Sequence, residues 1–142
     1  MDLIGAKRYT LDAKGRMSFP YAKQFDERVY VIPIPEMGAL FGFTAEGREE
    51  WVNSQFGPEG YEPRNRNKEM LKRRLNGRTV VIDIDNSGRI CVGKVPERWR
   101  EMFNIEREVM LVGNGEHFEI WNPDRYEMIV DGDLTADLMF DD

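Results

Sequence analysis

The sequence predicts a mainly β protein with short helices, built from two similar halves. Short apolar runs rich in β-branched residues, separated by turn residues, are typical of strands. Two segments share one residue pattern, and the same order of elements follows each of them. The 142 residues, 11% of them aromatic, can bury a sizeable core and do not have the composition of a disordered chain.

Each half opens with a strand, a turn and a second strand. Residues 9–20 (YTLDAKGRMSFP) resemble residues 82–93 (IDIDNSGRICVG), and both place an Asp four residues before an Arg that follows a Gly. A short helix opened by proline is predicted next, at 20–25 in the first half and at 96–103 in the second. Agreement in element order over ~45 residues is rare by chance, so we interpret the halves as a tandem repeat.

Two more strands and a helix complete each half. The predicted strands are 29–32 and 40–43 in the first half and 109–112 and 118–121 in the second. Asn122 followed by Pro123 is a strong helix start. Thr44 is a weaker start, because Gly47 stands where a capping box has Glu or Gln.

The division that follows is a first repeat at 1–60, a linking helix within 61–78, a second repeat at 79–130 and an acidic, frayed tail at 131–142. Glycine and proline at 57–63 break regular structure between the repeats. The linking helix is predicted from Asn67 to Leu75, ending at Asn76-Gly77.

Charge is distributed unevenly along the chain. The formal net charge is −6, yet residues 61–78 carry +5 while residues 79–142 carry −9. Local basic segments matter more than total charge for binding to phosphate. The cluster Lys72-Arg73-Arg74 has two interpretations, a face toward DNA or, more commonly, a solvated helix face.

Composition and motifs argue against several other classes. No apolar run approaches the ~18–20 residues of a membrane-spanning helix, and no signal peptide is expected. Cys91 is the only cysteine, which favours a reduced, cytoplasmic setting. Nucleotide-binding and zinc-protease motifs do not occur. Catalysis by Cys91 with His117, the only histidine, is the main enzymatic alternative. We interpret Cys91 as a buried strand residue and His117 as a solvated loop residue, and expect no catalytic residues, cofactor or metal.

The D-x-x-x-R turn carries the chemistry that the repeat offers. The Asp carboxylate can accept hydrogen bonds from turn N–H groups, and the Gly before the Arg permits a positive φ. Asp12 can therefore hold Arg16, and Asp85 can hold Arg89. A guanidinium fixed in direction suits bidentate recognition of guanine edges or phosphate, although a purely structural ion pair would use the same residues.

These segments carry a family resemblance. Residues 5–20 resemble the opening of the MraZ family, bacterial transcriptional regulators related to AbrB. The motif at 85–89, the segment 109–115 and residues 119–122 resemble the second repeat of that family. The resemblance spans about residues 1–130, and two D-x-x-x-R motifs in register are specific to few families.

The resemblance implies a fold, a partner and an assembly. The fold is a pseudo-symmetric, swapped-hairpin (double-split) β-barrel of two AbrB-like repeats. The partner is double-stranded DNA at short promoter repeats, and the chain itself forms a homo-oligomeric ring. The implied role is repression of its own promoter and of a division and cell-wall gene cluster, in the cytoplasm at the nucleoid, without membrane attachment.

The resemblance also assigns roles to residues. The DNA-binding set is Lys7, Arg8, Lys14, Arg16 and Arg89, and the set that orients the turns is Asp12, Gly15, Asp85 and Gly88. This chain departs from the family at Asn86-Ser87, where a basic residue is common, and at Gly93, where proline is preferred. We therefore expect the first turn to make most of the DNA contact.

Two binding alternatives remain beside the regulator. A ring that has lost DNA binding and serves as an interaction scaffold would explain the acidic second half. An antitoxin-like regulator is a third interpretation, against which the tandem organisation counts, because short AbrB-type antitoxins carry a single copy of the motif.

Overall fold

The computed structural model describes residues 1–132, so most of the predicted tail at 131–142 lies outside the described residues. Eight strands and four α-helices follow one another in two similar series. The strands are β1 (Ala6–Thr10), β2 (Arg16–Ser18), β3 (Arg28–Ile34), β4 (Ala39–Phe43), β5 (Val80–Asp83), β6 (Arg89–Cys91), β7 (Glu108–Asn114) and β8 (His117–Trp121).

The helices are short. They are α1 (Ala45–Ser54), α2 (Arg66–Arg78), α3 (Glu97–Met102) and α4 (Pro123–Tyr126), which continues into a π-helical turn at Glu127–Asp131. Two 3₁₀ turns, Ala22–Gln24 and Val92–Lys94, follow β2 and β6. None of the helices within residues 1–132 is long and apolar enough to cross a membrane.

The two halves exchange strands. Six strands form one antiparallel sheet in the order β1-β7-β8-β4-β3-β5. The first strand of each half pairs with the third strand of the other, β1 with β7 and β5 with β3. The second strands, β2 and β6, pair with each other in a separate two-stranded ribbon. The mainly β class is confirmed. Closure of these strands into a double-split barrel stays a prediction.

Apolar residues cover both faces of the sheet, which is why its central strands are nearly continuous apolar runs. On one face, Val29, Val31 and Leu111 pack with the inner side of the ribbon and with α3. On the other face, Ile32 and Trp121 pack with α1, α2 and the turn after α4. The alternation of strand side chains therefore makes three layers, with the ribbon and the α1–α2–α4 layer on opposite sides of the sheet.

Helix α2 ends later than the sequence predicts. It passes through Asn76-Gly77 to Arg78, because contacts from α1 hold its last turn. The Arg48 guanidinium donates to Thr79 Oγ1 at 3.0 Å and to the Asn76 side chain, and Thr79 Oγ1 donates to the Leu75 carbonyl. The α1 start is also better than expected, since Thr44 Oγ1 accepts from the Gly47 amide at 3.0 Å.

Candidate nucleic-acid interface

The turn between β1 and β2 is organised around the Asp12 carboxylate. Asp12 Oδ1 accepts hydrogen bonds from the backbone amides of Lys14 (2.9 Å) and Arg16 (2.8 Å). Asp12 Oδ2 accepts from Arg16 Nε at 2.7 Å, so the guanidinium is held by one edge while its terminal nitrogens remain available. Gly15 closes the turn with a φ of +84°, a conformation that glycine adopts without steric cost.

The turn between β5 and β6 repeats this arrangement. Asp85 Oδ1 accepts from the amides of Ser87 and Arg89, and Asp85 Oδ2 accepts from Arg89 Nε, all at 2.9 Å. Gly88 has a φ of +74°. The side chains of Arg16 and Arg89 are 33% and 34% exposed, so the two turns display their arginines equally.

Backbone hydrogen bonds also set the protonation of the two carboxylates. The amide of Arg16 is the main cause that lowers the pKa of Asp12, and the amide of Arg89 does the same for the pKa of Asp85. Hydrogen bonds from the guanidinium groups lower both further. Both carboxylates are therefore ionised at neutral pH and keep the arginines oriented.

The β2–β6 ribbon places the two arginines on one surface. Arg16 is opposite Cys91 and Ser18 is opposite Arg89, so these four side chains share the outer side. Met17 and Ile90, which are opposite each other between them, point inward and are buried. Arg16 and Arg89 are diagonal neighbours, roughly 7–8 Å apart by ordinary sheet geometry. The repeats alone do not predict this juxtaposition, because it depends on pairing between residues 71 to 75 positions apart.

The first turn packs directly on the second half of the chain. The Gly15 carbonyl accepts from the amides of Val92 (2.8 Å) and Gly93 (3.3 Å), and Cys91 Sγ donates to the Lys14 carbonyl at 3.2 Å. A Cβ built on Gly15 would lie 2.7 Å from the Gly93 nitrogen, and one on Gly93 would lie 2.7 Å from the Lys14 carbonyl oxygen. The glycine at 93 is thus where the first turn rests.

That contact brings in a residue that the sequence interpretation missed. Lys94 follows Gly93 in the 3₁₀ turn Val92–Lys94 and is exposed. It carries a positive charge of the second half on the residue next to Gly93, which the first turn contacts. The sequence does carry one sign of this contact. Gly93 stands where the family prefers proline, and a glycine permits close approach of another backbone.

The second turn has different neighbours. The Gly88 carbonyl accepts from the Phe19 amide at 2.9 Å, but a Cβ on Gly88 would meet nothing within 4 Å. The shallow cavity beside this turn mixes two basic side chains with four acidic ones; its charged lining is Lys23, Arg28, Asp26, Glu27, Asp83 and Asp85. Of these carboxylates only Asp85 pairs with Arg89, as Asp12 does with Arg16 in the first turn.

Lys7 and Arg8 lie on β1, outside the ribbon. Lys7 Nζ is 5.6 Å from the centre of the Tyr9 ring, and Tyr9 packs against the core on the ribbon side of the sheet. Arg8 points to the helical side, where its guanidinium lies 3.2 Å from Glu127 and 3.9 Å from Glu108. Of the two, only Lys7 shares the side of the sheet on which the turns lie.

The basic cluster of α2 is partly engaged within the chain. Lys72 Nζ lies over the Tyr61 ring, 4.4 Å from its centre, and Arg73 pairs with Glu69 at 3.5 Å. Arg74 is exposed. Because α2 packs on the side of the sheet opposite the ribbon, the cluster is not part of the surface that carries the two turns.

The structure separates the two residues weighed for catalysis. Cys91 is partly exposed on the outer side of the ribbon, so its interpretation as a buried residue was wrong. The His117 ring stacks on Phe41 on the opposite face of the sheet, with ring centres 4.7 Å apart. The interpretation of His117 as a solvated loop residue was wrong, because it lies in β8 with its side chain 13% exposed. Within residues 1–132, no group of three or more His, Cys, Asp or Glu side chains could hold a metal.

His117 is part of a hydrogen-bond network around a buried carboxylate. Glu119 accepts from His117 Nε2 at 2.8 Å, from the Asn114 amide at 2.9 Å and from Trp121 Nε1 at 2.9 Å. Burial pushes the pKa of Glu119 up, and these hydrogen bonds outweigh it and hold the pKa below its usual value. With every partner supplied from β7 and β8, the network stabilises the fold.

Comparisons with known proteins identify relatives over nearly the whole chain. A family model described as "MraZ protein, putative antitoxin-like" matches residues 75–141. A protein of Mycoplasmoides gallisepticum named "Transcriptional regulator MraZ" is 29% identical over 125 residues, which cover 87% of this chain and 84% of the relative.

Two pseudomonad proteins with the same name show the same breadth of match. The protein of Pseudomonas savastanoi pv. phaseolicola is 30% identical over 138 residues, covering 93% of this chain and 87% of its own length. That of Pseudomonas putida is 30% identical over 135 residues, with the same coverage. On the paired turns and on this breadth of similarity, the chain belongs to the MraZ family.

Proposed function

We propose that this protein is a sequence-specific DNA-binding transcription regulator that reads promoter DNA through the outer surface of the β2–β6 ribbon. The observation that carries the proposal is the pair of arginines, Arg16 and Arg89, each fixed by an aspartate and both on one side of a two-stranded ribbon. The major groove of DNA admits a two-stranded ribbon, and arginine is the commonest reader of guanine there.

The residues divide into two roles. Arg16 and Arg89 donate their free guanidinium nitrogens to base edges or phosphate, while Asp12 and Asp85 orient them without touching DNA. Lys14, Lys94 and Lys7 neutralise phosphates around the first turn. Arg8, which is paired with Glu127, makes a weaker phosphate contact. The second turn carries Ser87 where the first has Lys14, so Arg89 contributes a smaller share of the binding energy than Arg16.

Family membership supports a broader proposal. The two repeats, at 1–60 and 79–130 with the linking segment between them, close into a double-split barrel, and copies of the chain assemble into a ring. The ring binds repeated promoter boxes in the nucleoid and represses its own promoter with a division and cell-wall gene cluster. Several weak ribbons on one rigid body then bind through high effective concentration.

The test is fluorescence anisotropy on a duplex from upstream of the protein's own gene, with a scrambled duplex for comparison. Wild type should bind the native duplex tightly and lose affinity steeply as salt rises. Arg16→Ala should lose about 5- to 150-fold in affinity, corresponding to the roughly 1–3 kcal/mol of one bidentate contact.

Two further variants separate orientation from charge. Arg16→Lys keeps the charge and loses the forked donor geometry, so it should bind closer to Arg16→Ala than to wild type. Arg74→Ala removes an exposed arginine on the opposite side of the sheet and should bind as wild type does. Weak and equal binding of wild type to both duplexes would overturn the proposal and favour the scaffold ring.

A further inference from the structure

One side of the helical layer carries an open groove between α1, α2 and the edge of the sheet. Its volume is about 650 Å³. The apolar part of the lining is Tyr30, Ala45, Val52, Phe56, Tyr61 and Val81. Val81, on edge strand β5, is 50% exposed, a large fraction for an apolar strand residue. We call this surface the α1–α2 groove.

The charge at the groove is basic. Arg48 and Lys72 line it against one acidic residue, Glu49. Around it, the segment 61–78 carries a net charge of +5. A ligand for the groove should therefore combine apolar side chains with negative charge.

The other end of the same layer presents a helix with that combination. The inner side of the segment 123–131 packs on the sheet through Tyr126 and Val130. Its outer side exposes Met128 (70%) and Ile129 (46%), with exposed Asp124, Glu127 and Asp131 beside them. We call this the C-terminal helix face. The sequence continues beyond it with four more aspartates and no basic residue.

The two surfaces lie at opposite ends of the strand order. The α1–α2 groove is at β5, whereas the C-terminal helix face is at β1, where Arg8 pairs with Glu127. Val81 and Arg8 occupy equivalent positions in the two repeats, so the pseudo-symmetric ends have become chemically different. One end is apolar and basic, and the other carries apolar side chains among acidic ones.

We propose that the C-terminal helix face of one copy of this chain docks into the α1–α2 groove of the next copy. Met128 and Ile129 enter the groove, and the acidic residues beside them face Arg48 and Lys72. The contact is head-to-tail, because the two partners use different surfaces, and head-to-tail contacts extend into closed rings or open filaments. This contact is the subunit interface of the homo-oligomer in the proposed function and rests on that assembly.

Single substitutions that introduce a negative charge on either surface test the contact. Met128→Glu alters the helix face, and Val81→Glu and Ala45→Glu each alter the groove. Ala45 is exposed in the first turn of α1, where an acidic residue is well tolerated, so Ala45→Glu leaves the sheet intact. Met102→Glu, at another residue with 62% exposure, is the matched control. Circular dichroism checks that each variant is folded.

Native mass spectrometry and light scattering give the masses. Wild type and Met102→Glu should assemble beyond the dimer, whereas Met128→Glu and either groove variant should collapse to the 16.6 kDa monomer. Mixing Met128→Glu with Ala45→Glu should then give a 1:1 dimer and nothing larger, because only one intact helix face and one intact groove remain.

Other results would overturn the contact. These are a monomeric wild type, unchanged assembly of folded helix-face and groove variants, or a mixture that stays monomeric. The DNA-binding proposal is tested separately. Arg16→Ala should lose DNA affinity and keep the wild-type mass, so loss of assembly and loss of DNA recognition are distinguishable.

Discussion

The turn at 12–16 and the turn at 85–89 hold their arginines with the same hydrogen bonds, yet they rest on different neighbours. The first packs glycine against glycine on the opposite half, next to Lys94. The second has open space around its glycine and carries Ser87 where the first turn has Lys14. The motif therefore specifies the internal geometry of a turn, while the residues outside the motif specify its packing and the positive charge around its arginine.

The largest expected difference between the turns concerns DNA affinity. Arg89→Ala should weaken binding to the native duplex less than Arg16→Ala, because the second turn carries Ser87 where the first has Lys14 and is therefore less basic. Anisotropy titrations of both variants at one salt concentration measure the two losses. Equal losses would mean that both turns read DNA alike.

The next largest expected difference is in the loss of folding stability when each turn glycine is replaced by alanine. Gly88→Ala should cost about 1–2 kcal/mol, the penalty for an alanine at positive φ. Gly15→Ala should cost more, since the added Cβ also collides with the Gly93 backbone at 2.7 Å. Urea unfolding measures both. Gly93→Ala isolates the collision from the φ penalty, and an unchanged midpoint in that variant would contradict the tight contact.

A smaller effect is expected from exchanging the residue before each turn glycine. Lys14 and Ser87 are equivalent positions of the two repeats. Lys14→Ser should reduce the magnitude of the negative slope of log affinity against log salt by about 0.9, the value for one phosphate contact. Ser87→Lys should increase that magnitude by about the same amount. A slope unaffected by Ser87→Lys would place the second turn away from the DNA backbone.

We expect no difference between the turns in how their aspartates titrate with pH. The pKa of Asp12 and that of Asp85 are both lowered from 3.8, first by the backbone amides of Arg16 and Arg89. Because the folded pKa values lie below the unfolded value, the stabilisation is complete above pH 3.8 and is lost as pH falls through the folded pKa values. Carboxyl NMR titration of wild type, with Asp12→Asn and Asp85→Asn for assignment, should show both below 3.8. A normal value at one turn would break the equivalence.

The features that could be predicted from the sequence depend on residues that lie close together along the chain. The internal bonds of the turns depend on residues at most four apart, and the strands and helices follow from short patterns of apolar and capping residues. The end of α2 was predicted too early because Arg48, 28 residues before Asn76, supplies the bonds that extend it.

What it could not predict depends on pairing between the halves. The common side of Arg16 and Arg89 and the contact of the first turn with Gly93 follow from the pairing of β2 with β6. The burial of His117 follows from packing against Phe41 of the other repeat. Such contacts leave no periodic signal in a single sequence.

The register of the ribbon, with Met17 opposite Ile90 at its centre, has a consequence for the direction in which the proposed regulator would read DNA. A dimer of identical chains has an exact twofold axis and matches a palindrome. In this chain the approximate twofold axis between the repeats relates two turns that are covalently joined and unequal. A subunit bound to DNA would therefore have a defined polarity along the double helix. Sites for such a reader should be non-palindromic and repeated in the same orientation, and inverting one box should weaken its occupancy.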